Sequence, residues 1–149
     1  HDNATPSGNG VAGFALQRLG HLTGEVRYIS SAERTLKLFY ESLKRSPSGY
    51  TTLLCALEEA LAPPRVVVLR GEPNSIALWR AQLAKTYRPD ALILAIPVGV
   101  RGLPSALDKN VPHDSGTVAA WVCEGTTCLP PVFELAGLED SLASRSGLN

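Results

Sequence analysis

Two cysteines, Cys123 and Cys128, lie five positions apart in the stretch AWVCEGTTCLPPV, with a Gly-Thr-Thr bend between them and two prolines after. A redox-active pair ordinarily has two intervening residues, a low-pKa thiol at a helix start and a base nearby. Here four residues intervene and a strand leads into Cys123. A zinc site takes four ligands. The pair supplies half of them, His113 is the only histidine close in sequence, and Asp114 would be the fourth, in a spacing that matches no standard pattern. A local disulfide across a tight hairpin is feasible if the two Cα atoms approach within roughly 7 Å. It closes a very short loop, so its entropic gain is modest. Two reduced thiols packed under the hairpin are the remaining alternative. Spacing leaves these last two open, and an oxidised preparation favours the disulfide. Cys55, in YTTLLCALEEAL, reads as a small buried hydrophobe on the apolar face of a helix.

A second constellation is DNATPSGN, residues 2–9. A carboxylate such as Asp2 beside a helix start can act as general acid or base, Asn9 can bind a hydroxyl, and Ser7 stands between them. Acid–base work on sugars usually needs two positioned groups, and no clear second one is present. The structural reading is that proline and glycine set a turn while Ser7 or Asn9 caps free helix donors. The same segment holds an Asn-Ala-Thr glycosylation triplet at residues 3–5, a pattern common by chance. VVVLRGEPNS offers a strand, one glycine and a helix, without the further glycines or the lysine of a nucleotide-binding loop. Residues 113–115, His-Asp-Ser, are too close in sequence for a catalytic triad.

The totals bound the rest. The chain has 149 residues, 44% of them hydrophobic, enough for one core or two small ones. Fourteen basic residues balance 14 acidic ones, so there is no electrostatic footprint for nucleic acid or an anionic membrane surface. No apolar run reaches the roughly 18 residues of a spanning helix. His1 opens the chain and methionine is absent, so the expectation is a processed terminus or a piece of a larger protein. No cofactor is implied, and a cytoplasmic location is favoured.

These residues must be positioned by an α+β architecture. Val11, Phe14, Leu16, Leu19 and Leu22 recur at helical spacing, with Ser7 as cap and Gly24 as stop. A second helix carries Ile29, Ala32, Leu36, Phe39, Tyr40 and Leu43 on one face. Ser30 and Glu33 match a capping box at its start, although Thr23 could begin it earlier. A third aligns Tyr50, Leu53, Leu54, Leu57 and Leu61 before Pro63 and Pro64 end it. The period then changes. RVVVLRG reads as a buried strand, and EPNSIALWRAQLAKTY as a helix capped by Asn74 or Ser75, with Ile76, Leu78, Trp79 and Leu83 inside. DALILAI reads as a second strand, residues 97–117 as a long loop, TVAAWVC as a third strand and LAGLEDSLA as a closing helix. The expected division is residues 1–62, a helical layer of three helices, and residues 63–149, a small sheet unit containing a βαβ motif on which that layer packs.

Three segments together resemble the C-terminal region of the YyaL-like, spermatogenesis-associated family of thioredoxin-domain-containing proteins. They are the opening block with Asp2, Pro6, Ser7, Gly8, Asn9, Leu22, Thr23, Gly24 and Tyr28, then PPRVVVLRG, then AWVCEGTTCLPPV. The resemblance runs from about residue 2 to 143. It implies that residues 1–62 are the last helices of an α/α barrel like those of sugar 2-epimerases and six-hairpin glycosidases. Asp2, Ser7 and Asn9 would then rim a pocket in the intact parent. It implies a structural role for this portion, with the remainder of the parent as partner or a homodimer formed through the exposed helical face. The contrasting expectation is a stand-alone interaction or metal-binding module built on the Cys123/Cys128 hairpin.

Overall fold

The computed structural model describes residues 1–110, 114 and 116–144. The fold is α+β: five α-helices and one four-stranded mixed sheet among the described residues. The chain separates into two compact units, His1–Pro64 and Arg65–Asn149.

The first unit holds α1 (Gly8–Thr23), α2 (Val26–Arg45) and α3 (Thr51–Leu61). Gly24 takes the left-handed conformation, φ 76°, and its N–H reaches Gly20 O, which closes α1. The chain re-enters a helix two residues later, so α2 begins at Val26. Ser30 and Glu33 therefore lie inside α2 and form no capping box. Thr23 does not start the helix either; its hydroxyl accepts from Glu25 N and donates to Leu19 O.

The face that α1 turns inward differs from the apolar stripe. Its buried residues are Gly10, Gly13, Gln17 and Gly20, while Val11 and Leu19 are exposed. Glycine lets the neighbours come close. A Cβ on Gly10 would lie 2.7 Å from Thr52 Cβ, and one on Gly20 would lie 2.5 Å from Ile29 Cδ1. Gln17, 3% exposed, spans the α1–α3 interface by donating from Nε2 to Ala56 O at 2.8 Å and to Gly13 O at 3.3 Å. Leu36, Leu43, Leu53 and Ala56 form the core, flanked by Phe14, Phe39, Tyr50 and Leu54. Tyr40 and Leu61, expected inside, are exposed, because the faces of α2 and α3 that pack are centred on Ala32–Leu36–Leu43 and Leu53–Ala56. Cys55 is likewise exposed, one position off that inward face.

The second unit runs β1 (Arg65–Gly71), α4 (Pro73–Leu83), β2 (Ala91–Pro97), β3 (Ala119–Glu124), β4 (Thr127–Cys128) and α5 (Leu135–Ala143). The strand order is β2-β1-β3-β4, with β1 parallel to β2 and antiparallel to β3. The Val-Val-Val-Leu run makes β1 a fully buried central strand. Val67 and Leu69 point to one face of the sheet, where α4 and α5 cover them with Ile76, Leu83, Leu138 and Leu142. Val66, Val68 and Arg70 point to the other. Helix α4 starts at Pro73 behind Glu72, earlier than Asn74 or Ser75, since proline at the first helical position already has the right φ. Leu78 faces outward on α4. Residues 98–110 have no helix or strand, in keeping with the expected loop, and Leu107 within it is buried.

Candidate functional site

Two clusters gather the chemistry-bearing residues, one in each unit. In the first unit Asp2 is a clamp. One carboxylate oxygen, Oδ1, accepts from Ser7 N at 2.8 Å; the other, Oδ2, accepts from Thr52 N at 2.6 Å and from the Thr51 hydroxyl at 2.7 Å. A single side chain thus ties the cap residue of α1 to the first turn of α3, two helix starts that both favour a negative charge. Tyr50, at the cap position of α3, makes no side-chain cap bond, and Asp2 supplies the missing acceptor from far away in the chain. Asp2 N also donates to Gly49 O at 2.7 Å, and the His1 ring lies 5.1 Å from that of Tyr50. Hydrogen bonds from Thr52 N, Ser7 N and Thr51 hold the carboxyl far below the ordinary carboxylate range.

Ser7 caps α1, its hydroxyl accepting from Gly10 N at 3.3 Å. Asn9 is exposed in the first turn of α1. The structure brings Asp2 and Ser7 together but as a folding device. With both oxygens engaged and its proton lost well below neutral pH, Asp2 has little to offer as acid or base.

A second polar group in this unit had no sequence signal beyond ordinary charge spacing. Arg18 grips Glu59 of α3, with Nε at 3.2 and 3.0 Å from the two carboxylate oxygens and Nη2 at 2.9 Å, while its guanidinium stacks 4.2 Å above the Phe14 ring. Burial pushes the nearby His21 imidazole down, against the pull of Glu59.

In the second unit Cys123 and Cys128 are joined by a disulfide, S–S 2.07 Å, across paired positions of β3 and β4. The turn between them is Gly125-Thr126. Gly125 has φ 58° and no non-glycine residue has positive φ among those described, the pattern of a II′ hairpin turn. Past Cys128 the chain stays beside β3, with Leu129 N donating to Val122 O and Val132 paired with Ala120. Pro130 and Pro131 fall on this outer edge, where missing donors blunt further strand pairing. Lys109 brings its ammonium 3.3 Å from Cys128 Sγ. Cys123 is buried at 5% exposure and Cys128 is partly exposed, so an incoming thiolate meets Cys128 first. Reduction of the bond would leave the Cys128 thiol beside that ammonium.

The sulfurs are bonded to each other and offer no thiolate to a metal in this form. His113 lies outside the described residues, and Asp114 is exposed. Among the described residues no group of three or more His, Cys, Asp or Glu is placed to hold a metal ion. The turn after β1 carries no phosphate-binding glycines, and Glu72 occupies the N-cap position there without a side-chain cap bond. A cavity of about 80 Å³ is lined by Arg65, Val122, Glu124, Thr127, Leu129 and Ser141. That is well under the roughly 300 Å³ of ordinary ligand pockets.

Arg65 explains much of that corner. Its guanidinium pairs with Asp90 at 2.9 Å and donates to the carbonyls of Leu142, Ser141 and Ser144, closing the carboxyl end of α5. Compared with known proteins, the chain matches no family model, no curated protein and no solved structure.

Proposed function

We propose that this chain is the C-terminal structural part of a YyaL-like thioredoxin-domain-containing protein, its three helices completing an α/α barrel and its sheet unit presenting the loop at 97–117. The observation that carries this reading is the outward side of α1. Val11, Ala12, Ala15 and Leu19 are exposed and apolar at helical spacing, while the glycine face is spent on α2 and α3. A helix apolar on its outer side is expected where another layer of helices covers it. Leu38 at 78% exposure and Val26 at 74% are further exposed apolar side chains on α2. The Asp2 clamp fits the same role, since it fixes two helix starts with both of its carboxylate oxygens engaged.

The test is the behaviour of the chain with and without its apolar face. The reading expects self-association or binding of a hydrophobic dye, relieved when Val11 and Leu19 are both replaced by Gln without loss of helix content. A monomer with no dye binding at high micromolar concentration would defeat it. The rival module built on the Cys123/Cys128 hairpin predicts instead that reduced protein takes up zinc stoichiometrically, read by native mass spectrometry.

A further inference from the structure

Strand β1 carries two buried arginines with opposite fates. Arg65, on the α5 side of the sheet, has a carboxylate and three carbonyls to donate to. Arg70 lies at the carboxyl end of the same strand on the opposite face and is 1% exposed. Its Nε and Nη1 are buried with no hydrogen-bond partner. Beside it on β3, the buried Trp121 Nε1 is also without a partner. The register sets Arg70 opposite Ala119 and Trp121 opposite Val68, so the two side chains are diagonal neighbours on one face, in reach of each other for long side chains.

Three buried donors with no acceptor form an unbalanced group. An unpaired buried N–H is costly, and an unpaired buried charge more so. Two further groups shape the charge there. The Arg70 guanidinium feels the carboxylate of Asp108 and the guanidinium of Arg101, both from the loop after β2, yet no ion pair joins Asp108 to it among the described residues. Arg101 is exposed on that loop and donates to Val98 O. The arrangement is two guanidiniums and an indole N–H against one carboxylate that does not reach them. In open α/β sheets, ligands bind at the carboxyl ends of parallel strands, and β1 and β2 both end here.

We propose that this face of the sheet is a binding site for a small oxyanion, the carboxylate or phosphate group of a small molecule, held by the Arg70 guanidinium and the Trp121 indole N–H, with the charge of Arg101 adding to the attraction from the loop. The oxyanion accepts the orphaned donors and cancels the repulsion between the two arginines. Guanidinium is well suited to it, since its planar fork matches two oxygens of either anion. This site belongs to the sheet unit and does not depend on the reading above.

The experiment uses the whole chain with Trp79 replaced by Phe, which leaves Trp121 as its sole tryptophan. Inorganic phosphate and acetate are titrated separately at constant ionic strength, with chloride as control. The readouts are Trp121 emission and melting temperature. Saturable changes with phosphate or acetate and not with chloride support the site, and whichever saturates at lower concentration identifies the anion class. Arg70→Met should abolish the saturable change while melting no lower than its parent without anion. Arg101→Ala, on an exposed loop, should weaken the response several-fold, and Asp108→Asn should strengthen it. Absence of a saturable response to either anion overturns the proposal. So does an Asp108→Asn variant that melts lower and titrates no better, because Asp108 would then be the natural acceptor for Arg70.

Discussion

Two glycines three positions apart on α1 provide a sharp test of how the helical unit is packed. Gly10 and Gly13 both face inward, but the space before them differs. A Cβ on Gly13 would sit 3.8 Å from Ala56 Cβ, an ordinary contact, whereas one on Gly10 would sit 2.7 Å from Thr52 Cβ and 2.9 Å from Thr52 Cγ2. Alanine in a helix interior is favoured over glycine by about 1 kcal/mol. Gly13→Ala should therefore stabilise the unit by up to about 1 kcal/mol, a rise of roughly 4–8 °C in a domain of this size. Gly10→Ala carries the same or a smaller propensity gain, against an overpacking cost of about 1–3 kcal/mol, because β-branched Thr52 cannot swing its Cβ away. The expected net is a loss of about 1–2 kcal/mol. Leu19→Ala completes the set. Were Leu19 part of the core it would cost about 2–5 kcal/mol; at 40% exposure it should cost well under half of that. The assay is thermal unfolding by far-ultraviolet circular dichroism, which reports chiefly the helices. Stabilisation by Gly10→Ala, or a Leu19→Ala cost equal to that of Leu53→Ala, would refute the inward glycine face.

Four other outcomes follow from single groups. The folded-state pKa of Asp2 lies below its unfolded value, so its contribution is fully present above about pH 4 and is lost as pH falls below that. Asp2→Asn should lower the melting temperature at pH 7 and flatten the acid limb of stability between pH 4 and 2; an unchanged acid limb would show that the clamp does not form. Burial also lowers His21, so its share of stability is present above the ordinary imidazole value near 6.5 and lost as pH falls through it, and His21→Phe should remove that step from melts recorded between pH 7.5 and 5. Reducing Cys123–Cys128 should cost about 2 kcal/mol for so short a loop, and intact-mass labelling should modify only the exposed Cys55 before reductant and all three cysteines after reduction and unfolding. Arg65→Met should destabilise the sheet unit by about 3 kcal/mol, read by urea unfolding, since it strands Asp90 and three carbonyls at the end of α5.

What the sequence disclosed depended on whether the relevant physics is local. The Val-Val-Val run announced β1 because a strand buried on both faces needs no alternation. Gly24 and the two prolines at 63 and 64 announced stops because φ and a missing N–H are properties of one residue. The inward face of α1 was hidden. Hydrophobic periodicity follows the most apolar stripe, and two of its residues, Val11 and Leu19, point out while Phe14 packs on the core. Close helix approach through Gly10, Gly13 and Gly20 leaves no hydropathy signal. The misplacements of Cys55 and Leu61 have the same origin, since α3 is apolar on more than one side and only the partner decides which side is buried. The disulfide stood among the alternatives because a Gly-Thr-Thr bend allows a tight hairpin, and the structure decides it with a two-residue turn that pairs Cys123 with Cys128. The Asp2 clamp was half legible: the capping role of Ser7 is local, whereas the bond to Thr52 joins residues fifty positions apart.

That last contrast says something about how units of this size are held. Helix α3 has 11 residues, and a helix of that length is marginal by itself in water. Neither end of it is finished by its own side chains. Its start is capped by Asp2, its middle is tied to α1 through Gln17, and its last turns are pinned where Arg18 closes on Glu59. In the sheet unit α5, with 9 residues, is finished in the same way by Arg65 from β1. Small cores bury too little apolar surface to hold such short helices by packing alone. Polar groups borrowed from distant segments supply the remaining constraint, and they do so only when the whole unit is folded. Each of these side chains makes folding of its unit more cooperative, because a helix that depends on a remote cap cannot form ahead of the segment that carries it. Arg70 breaks the pattern. It is more buried than Arg65, 1% against 8% exposed, but no segment of the described chain completes it. Among the described residues the other buried charges, Arg65 and Glu59, are satisfied from within, and an arginine with two idle nitrogens is the place where something from outside the chain has a reason to bind.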